Sequence, residues 1–246
     1  MKLEIDQLIQ VKGGVFAVKH ILSVLVRIAL FVLTIFFWLW ILNHQFSNVI
    51  NISIIVGGAL VMYPIALIGR KMLDKSSTTG RVALTTAFVH YAVVILTGAA
   101  VIRAIKTHQD WSGRQLPVPA EIGLVLVIFT GAACLLTVIN LAVKGLGAPF
   151  AVALSRKLAV DWLYAWTRNP MVLAAFTLGI SLGIWFQSTS FVLWILIIFA
   201  PALLFLVKVY EERELEIRFG ASYMEYRIKT PMLFPRKPGG RHNKRN

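Results

Sequence analysis

Charge is what this sequence has least of, and acid is scarcer than base. Only 11 Asp and Glu stand among 246 residues, and charged residues of both signs make up 15%, where a soluble domain carries nearer a quarter. The single cysteine, Cys134, excludes an intrachain disulfide and says nothing about redox compartment. Set in an apolar run, it reads as a small buried residue. No second His or Cys lies at metal-ligand spacing from His90, so no donor set for a metal is in view. There is no internal repeat, and no aromatic and basic platform accompanies the formal charge of +14. That speaks against a nucleic-acid partner.

What is present is apolar residues in blocks. They make up 58% of the chain, and the mean hydropathy is +0.75. The blocks run to about twenty residues, the length that crosses a hydrocarbon layer of roughly 30 Å. The sequence therefore predicts an all-α, polytopic transmembrane helical bundle of about six spans, over 21–42, 49–69, 82–102, 122–143, 171–186 and 191–209. The first block is too long for a signal-peptide core and lacks a small-residue cleavage site, so it reads as a retained anchor. Gly57-Gly58 permits close helix approach in the second, and Pro64 a kink. Span five is short, and Gln187-Ser188-Thr189-Ser190 leaves room only for a tight antiparallel hairpin to span six.

Basic residues alternate between the connections. Four lie between 70 and 81, and ten of the 25 from Lys208 onward, while the first-to-second and fifth-to-sixth links have none. This is the positive-inside pattern, and it predicts cytoplasmic N- and C-termini. The loop expected at 103–120 departs from it, with Arg103, Lys106 and Arg114 on the outer side. Residues 1–143 read as a membrane anchor region, 144–236 as the segment that carries chemistry, and 237–246 as a basic disordered tail near anionic lipid.

The 144–236 segment mixes helix breakers and charge. Gly145-Leu146-Gly147 terminates span four and allows a close backbone approach. Arg168-Asn169-Pro170 supplies an N-cap and a first-turn proline for span five. Five of the eleven acids fall between Glu211 and Glu225. Adjacent side chains on a helix diverge by about 100°, so only one of Glu211 and Glu212 faces inward fully. Arg168 and Arg213 are the candidate partners, with a cationic ligand the other option.

In order, Gly145, Gly147 and Pro149, then Lys157-Leu158-Ala159-Val160 with Tyr164, then Arg168-Asn169-Pro170-Met171, Glu211-Glu212, and Phe219-Gly220, Tyr223, Tyr226, Pro231 and Pro235 form a pattern. It resembles the C-terminal half of the isoprenylcysteine carboxyl methyltransferase and phospholipid methyltransferase group of integral membrane enzymes. The resemblance covers about residues 144–236. It departs at Trp162-Leu163, where the family has Gly-Pro, at Val172, where it has tyrosine, and at Asn169, which is histidine in eukaryotic members.

The resemblance implies an S-adenosylmethionine-dependent methyltransferase acting on a lipophilic acceptor: an isoprenylcysteine-like carboxylate, a lipid head group or a similar small molecule. The cofactor would lie on the cytoplasmic side, contacted by Gly145, Leu146, Gly147, Tyr164, Arg168, Asn169, Pro170, Glu211 and Glu212, with Arg168, Asn169 and Glu212 as the catalytic residues. Two other readings stay open. One is a non-catalytic membrane partner or transport accessory of the same fold, the other an NADPH-dependent ene or sterol reductase-like enzyme.

Overall fold

A computed structural model describes residues 25–26, 28–75, 78–110, 115–145 and 157–238. The described residues form helices joined by irregular links, with no strand. Four helical stretches are long and apolar enough to cross a membrane, and two further apolar helices are shorter. This is an all-helical membrane protein. The chain divides into two compact units, 1–44 and 45–246.

In the first unit the described helix is α1, Ile28–Asn43, one of the two shorter ones. Its Thr34 hydroxyl donates to the Leu30 carbonyl at 2.8 Å. Trp40 lies against Phe37 and His44, with ring centroids 6.1 and 5.2 Å away. The start of the first predicted span lies outside the described residues.

The second unit holds α2 (Asn48–Leu60), α3 (Met62–Lys75), α4 (Thr79–Lys106), α5 (Ala120–Gly145), the single turn α6 (Leu163–Trp166) and α7 (Pro170–Trp185). A long helix α8 (Thr189–Lys229) follows, kinked at Gly220, whose φ of 52° and ψ of −127° are non-helical. Pro64 has no N–H for the Leu60 carbonyl and its ring crowds that turn, so α2 and α3 separate at Val61 while forming one 28-residue stretch. The helix continues to Lys75, so the loop expected over 70–81 is reduced to a short link. Arg70 and Asp74, one turn apart and 3.5 Å from each other, lie on the helix instead.

Glycine spacing sets two helix contacts. A Cβ on Gly58 would meet the Leu96 carbonyl at 2.7 Å, and one on Gly123 would meet the Trp185 backbone nitrogen at 2.3 Å. These are the close approaches of α2 to α4 and of α5 to α7. The α7–α8 connection is the expected hairpin, with the Ser188 hydroxyl accepting the Phe191 N–H at 3.2 Å and so capping α8.

Two stretches of α8, Ile195–Phe199 and Val207–Glu211, have π-helical hydrogen bonding. The first precedes Pro201, which cannot donate to the Ile197 carbonyl, and the wider turn relieves the clash. At the second, the Arg70 guanidinium donates to the Val209 carbonyl at 3.4 Å.

Arg103 corrects the predicted loop over 103–120. It belongs to α4, which runs on to Lys106, and is 1% exposed. Its Nε donates to Asn51 Oδ1 on α2 at 2.9 Å, Nη2 donates to the same oxygen at 2.5 Å, and the Phe46 ring lies 5.0 Å from the guanidinium carbon. Hydrogen bonds to a charged group contribute about 1.5–3 kcal/mol. Asn51→Leu should lower the stability of the detergent-purified protein by about that amount, read from thermal unfolding. The exposed Ser53→Ala, whose hydroxyl bonds only its own helix, should leave the midpoint unchanged.

Candidate functional site

The site is assembled where the end of the apolar part of α8 meets the α6–α7 corner. Beyond Lys229 the chain turns back along that corner. Pro231 O accepts the Arg168 N–H at 2.9 Å and Trp166 O accepts the Arg236 N–H at 3.0 Å. Met232 O accepts from the Thr167 hydroxyl at 3.1 Å and from Asn169 Nδ2 at 2.9 Å. From the helix, the Tyr226 hydroxyl donates to Tyr164 O at 2.6 Å. Side chains and backbone thus fasten 164–169 to 226–236.

At this junction Arg168 Nη2 stands 2.8 Å from Glu212 Oε1, with side chains 10% and 8% exposed. The contact is close but is not aligned as a hydrogen bond. Arg168 Nε and Nη1 are buried without any hydrogen-bond partner, and so is Glu212 Oε1. A nine-tenths-buried guanidinium with two idle donors is costly unless a further acceptor reaches it. Tyr223, 1% exposed, and Tyr226, 8% exposed, both lie close enough to feel the Arg168 charge.

Glu212 belongs to a chain of ion pairs. Arg227 Nε lies 3.8 Å from Glu212 Oε2, and Arg227 also contacts Glu216. Arg213 Nη1 is 3.4 Å from Glu216, and Arg213 Nε is 2.7 Å from Asp74 on α3. Arg213 therefore is not the partner of the Glu211-Glu212 pair that the sequence offered. It falls on the far side of the helix turn, where Asp74 meets it.

Glu211 points elsewhere. Its Oε1 lies 3.9 Å from His90 Nε2 on α4, the two side chains being 29% and 25% exposed. Burial pushes the Tyr164 phenol well above its usual range, and the nearby Glu211 carboxylate adds to the shift. Glu211 and Glu212 thus face different neighbours, as the helical divergence of adjacent side chains requires.

Of the predicted residues, Arg168, Asn169, Pro170, Tyr164 and Glu212 converge on this junction, while Glu211 turns to His90. Gly145 ends α5, while Leu146 and Gly147 lie outside the described residues. Pro170 begins α7 as expected. Asn169 precedes it, yet makes no side-chain cap. Asn169 thus stands at the N-cap position as expected, with its Nδ2 donating to the Met232 carbonyl of the returning chain.

His90 was missed as a site residue because its partner is 121 positions away. Arg227, Tyr223 and Tyr226 were likewise absent from the expected contact set. For the two tyrosines, their spacing after Phe219-Gly220 was the available signal. A groove of about 470 Å³ runs beside the junction between Leu158, Val160 and Ala165 on one wall and Tyr226 and Thr230 on the other. Arg168 and Glu212 do not line it.

Trp162, at a position where the resemblance expects glycine, has φ 54° and ψ −119°. Side chains rarely tolerate this conformation. Asn140 Oδ1 on α5 accepts the following Leu163 N–H at 3.1 Å, and Lys144 sits 5.1 Å from the Trp162 ring. The indole itself is 58% exposed, so little packing depends on it. Trp162→Gly should raise the unfolding midpoint, releasing about 1–3 kcal/mol of strain against a smaller loss of the Lys144 contact. A lowered midpoint would contradict the strain.

Together these features define an all-helical membrane protein with a buried, incompletely satisfied ion pair at a corner closed by its own C-terminal segment. Set against known proteins, no family model, no curated protein and no solved structure matches the chain.

Proposed function

We propose that the protein is a multi-pass membrane methyltransferase, similar to the isoprenylcysteine and phospholipid methyltransferases, that uses S-adenosylmethionine and methylates a lipophilic acceptor. Both termini and the Arg168–Glu212 corner face the cytoplasm in this reading. One observation carries it: Arg168 is nine-tenths buried and keeps two N–H-bearing nitrogens without partners. A carboxylate is the group that best satisfies a guanidinium.

The residues present fit such a cofactor. Arg168 holds the methionyl carboxylate, and Glu212 and Glu211 offer negative charge to its ammonium and sulfonium. Tyr164, Tyr223 and Tyr226 provide aromatic surface favourable to a cation. When bound, the cofactor supplies an electrophilic methyl group. The protein's part is to align the acceptor and exclude water, and the closure of 226–236 over 164–169 suits the second task. The groove beside Tyr226 is of mixed character, with Leu158, Val160 and Ala165 facing Glu225, Lys229 and Thr230, and would take an acceptor with both an apolar part and a polar end. The glycine element at 145–147 would complete the cofactor contacts by resemblance.

Isothermal titration of the detergent-purified protein should show saturable binding of S-adenosylmethionine and none of NADPH. Arg168→Met should weaken that binding about tenfold or more, the loss of one charge-assisted hydrogen bond, with thermal unfolding as the control for folding. Absence of S-adenosylmethionine binding to the wild type overturns the reading, and NADPH binding alone redirects it to the reductase class. Reporter tags placed after Lys75 and after Arg241 should both report the cytoplasm. A signal from the opposite side at either position contradicts the proposed topology.

A further inference from the structure

Resting on the methyltransferase reading, we propose that His90 is the proton acceptor for the methyl acceptor, and that the acceptor atom therefore carries a proton before it attacks. His90 Nδ1 lies 2.8 Å from the Thr86 carbonyl. A carbonyl only accepts, so Nδ1 carries the hydrogen, and in the neutral ring Nε2 is left with its lone pair. The ring is held edge-on to Tyr210, with centroids 6.2 Å apart. Tyr210 is in turn fixed by donating its hydroxyl to Thr86 Oγ1 at 3.2 Å.

Nε2 faces Glu211 Oε1 across 3.9 Å. That is longer than the roughly 2.7–3.2 Å of a closed hydrogen bond, so the Nε2 lone pair of the neutral ring is not used by Glu211. Both side chains are about a quarter exposed, more than those of Arg168 and Glu212. The charged and titratable groups around them are Glu211, Tyr210 and Glu214 from α8 and Tyr164 from α6. Tyr164 ties this pair to the Arg168 corner, because it senses Glu211 and its carbonyl is held by Tyr226.

The step balances as follows. The acceptor X–H gives its proton to His90 Nε2 while Glu211 stabilises the resulting imidazolium. X forms the new bond to the methyl carbon, and the carbon–sulfur bond breaks with its electron pair left on a neutral thioether. A carboxylate acceptor would not need this base. A thiol or hydroxyl would.

Two measurements test the assignment. Nitrogen-15 spectra of the full-length, histidine-labelled protein at about pH 8, with His90→Gln identifying the resonance, should show the Nδ1–H tautomer with a bare Nε2. Tritium transfer from methyl-labelled S-adenosylmethionine is then followed to decanethiol, which must lose a proton, and to decanoate, which need not. His90→Ala should keep cofactor binding by titration, lose about 10²-fold or more in transfer to decanethiol, and recover on addition of imidazole. A protonated Nε2 in the resting protein overturns the proposal, as does His90→Ala transferring to decanethiol at the wild-type rate. A wild type that binds the cofactor yet methylates decanoate alone, or neither probe, also overturns it. Failure of the wild type to bind S-adenosylmethionine instead removes the methyltransferase reading beneath it.

Discussion

A charge carried to the edge of an apolar helix must find a partner, and in this protein that requirement organises the C-terminal half. Glu212 follows immediately on the π-helical end of a membrane-length apolar stretch, and Arg168 is the cation that reaches it from another helix start. Each would be expensive to bury alone. Bringing them together requires the α6–α7 corner to lie under α8, and the returning segment 230–236 supplies the backbone acceptors that hold the corner there. The ion pairs from Asp74 through Arg213, Glu216 and Arg227 then extend the same constraint to α3.

The pair is bound but not satisfied, and that distinction separates a structural brace from a site. Glu216 and Arg213 divide their charges among several aligned partners on an accessible surface. Arg168 is more deeply buried and better shielded from water, yet keeps two nitrogens idle. A second open pair, His90 with Glu211, stands 3.9 Å apart on α4 and α8. Both stem from one local feature, the π-helical turn over Val207–Glu211, whose extra residue sets the directions of the carboxylates that follow. Such turns recur at functional sites because they re-aim side chains at some cost in helix stability.

Much of this was legible in the sequence. Apolar block length anticipated the helical stretches, four of which are long and apolar enough to cross a membrane, with Ile28–Asn43 and Pro170–Trp185 shorter among the described residues. Pro64, Pro170 and the Ser188 link announced a break, a start and a hairpin through chemistry that acts within a few residues. Arg168 and Glu212 could be named as partners because so few acids lie near an apolar span. What stayed hidden depends on distant contacts. Arg103 read as a loop cation because nothing local shows that Asn51 waits on the neighbouring helix, and the bond from the Asn169 side chain was not legible because the Met232 carbonyl lies 63 positions on. His90 looked like a solitary histidine for the same reason.

The central claim is that the α6–α7 corner and the start of the polar part of α8 are two halves of one ligand site. Hydrogen–deuterium exchange on the full chain in nanodiscs, with and without S-adenosylmethionine, addresses it most directly. The account predicts that the ligand slows exchange together at 163–170 and 211–236 and leaves 48–60 unchanged. Protection confined to one of the two segments, or none in either under saturating ligand, would contradict it.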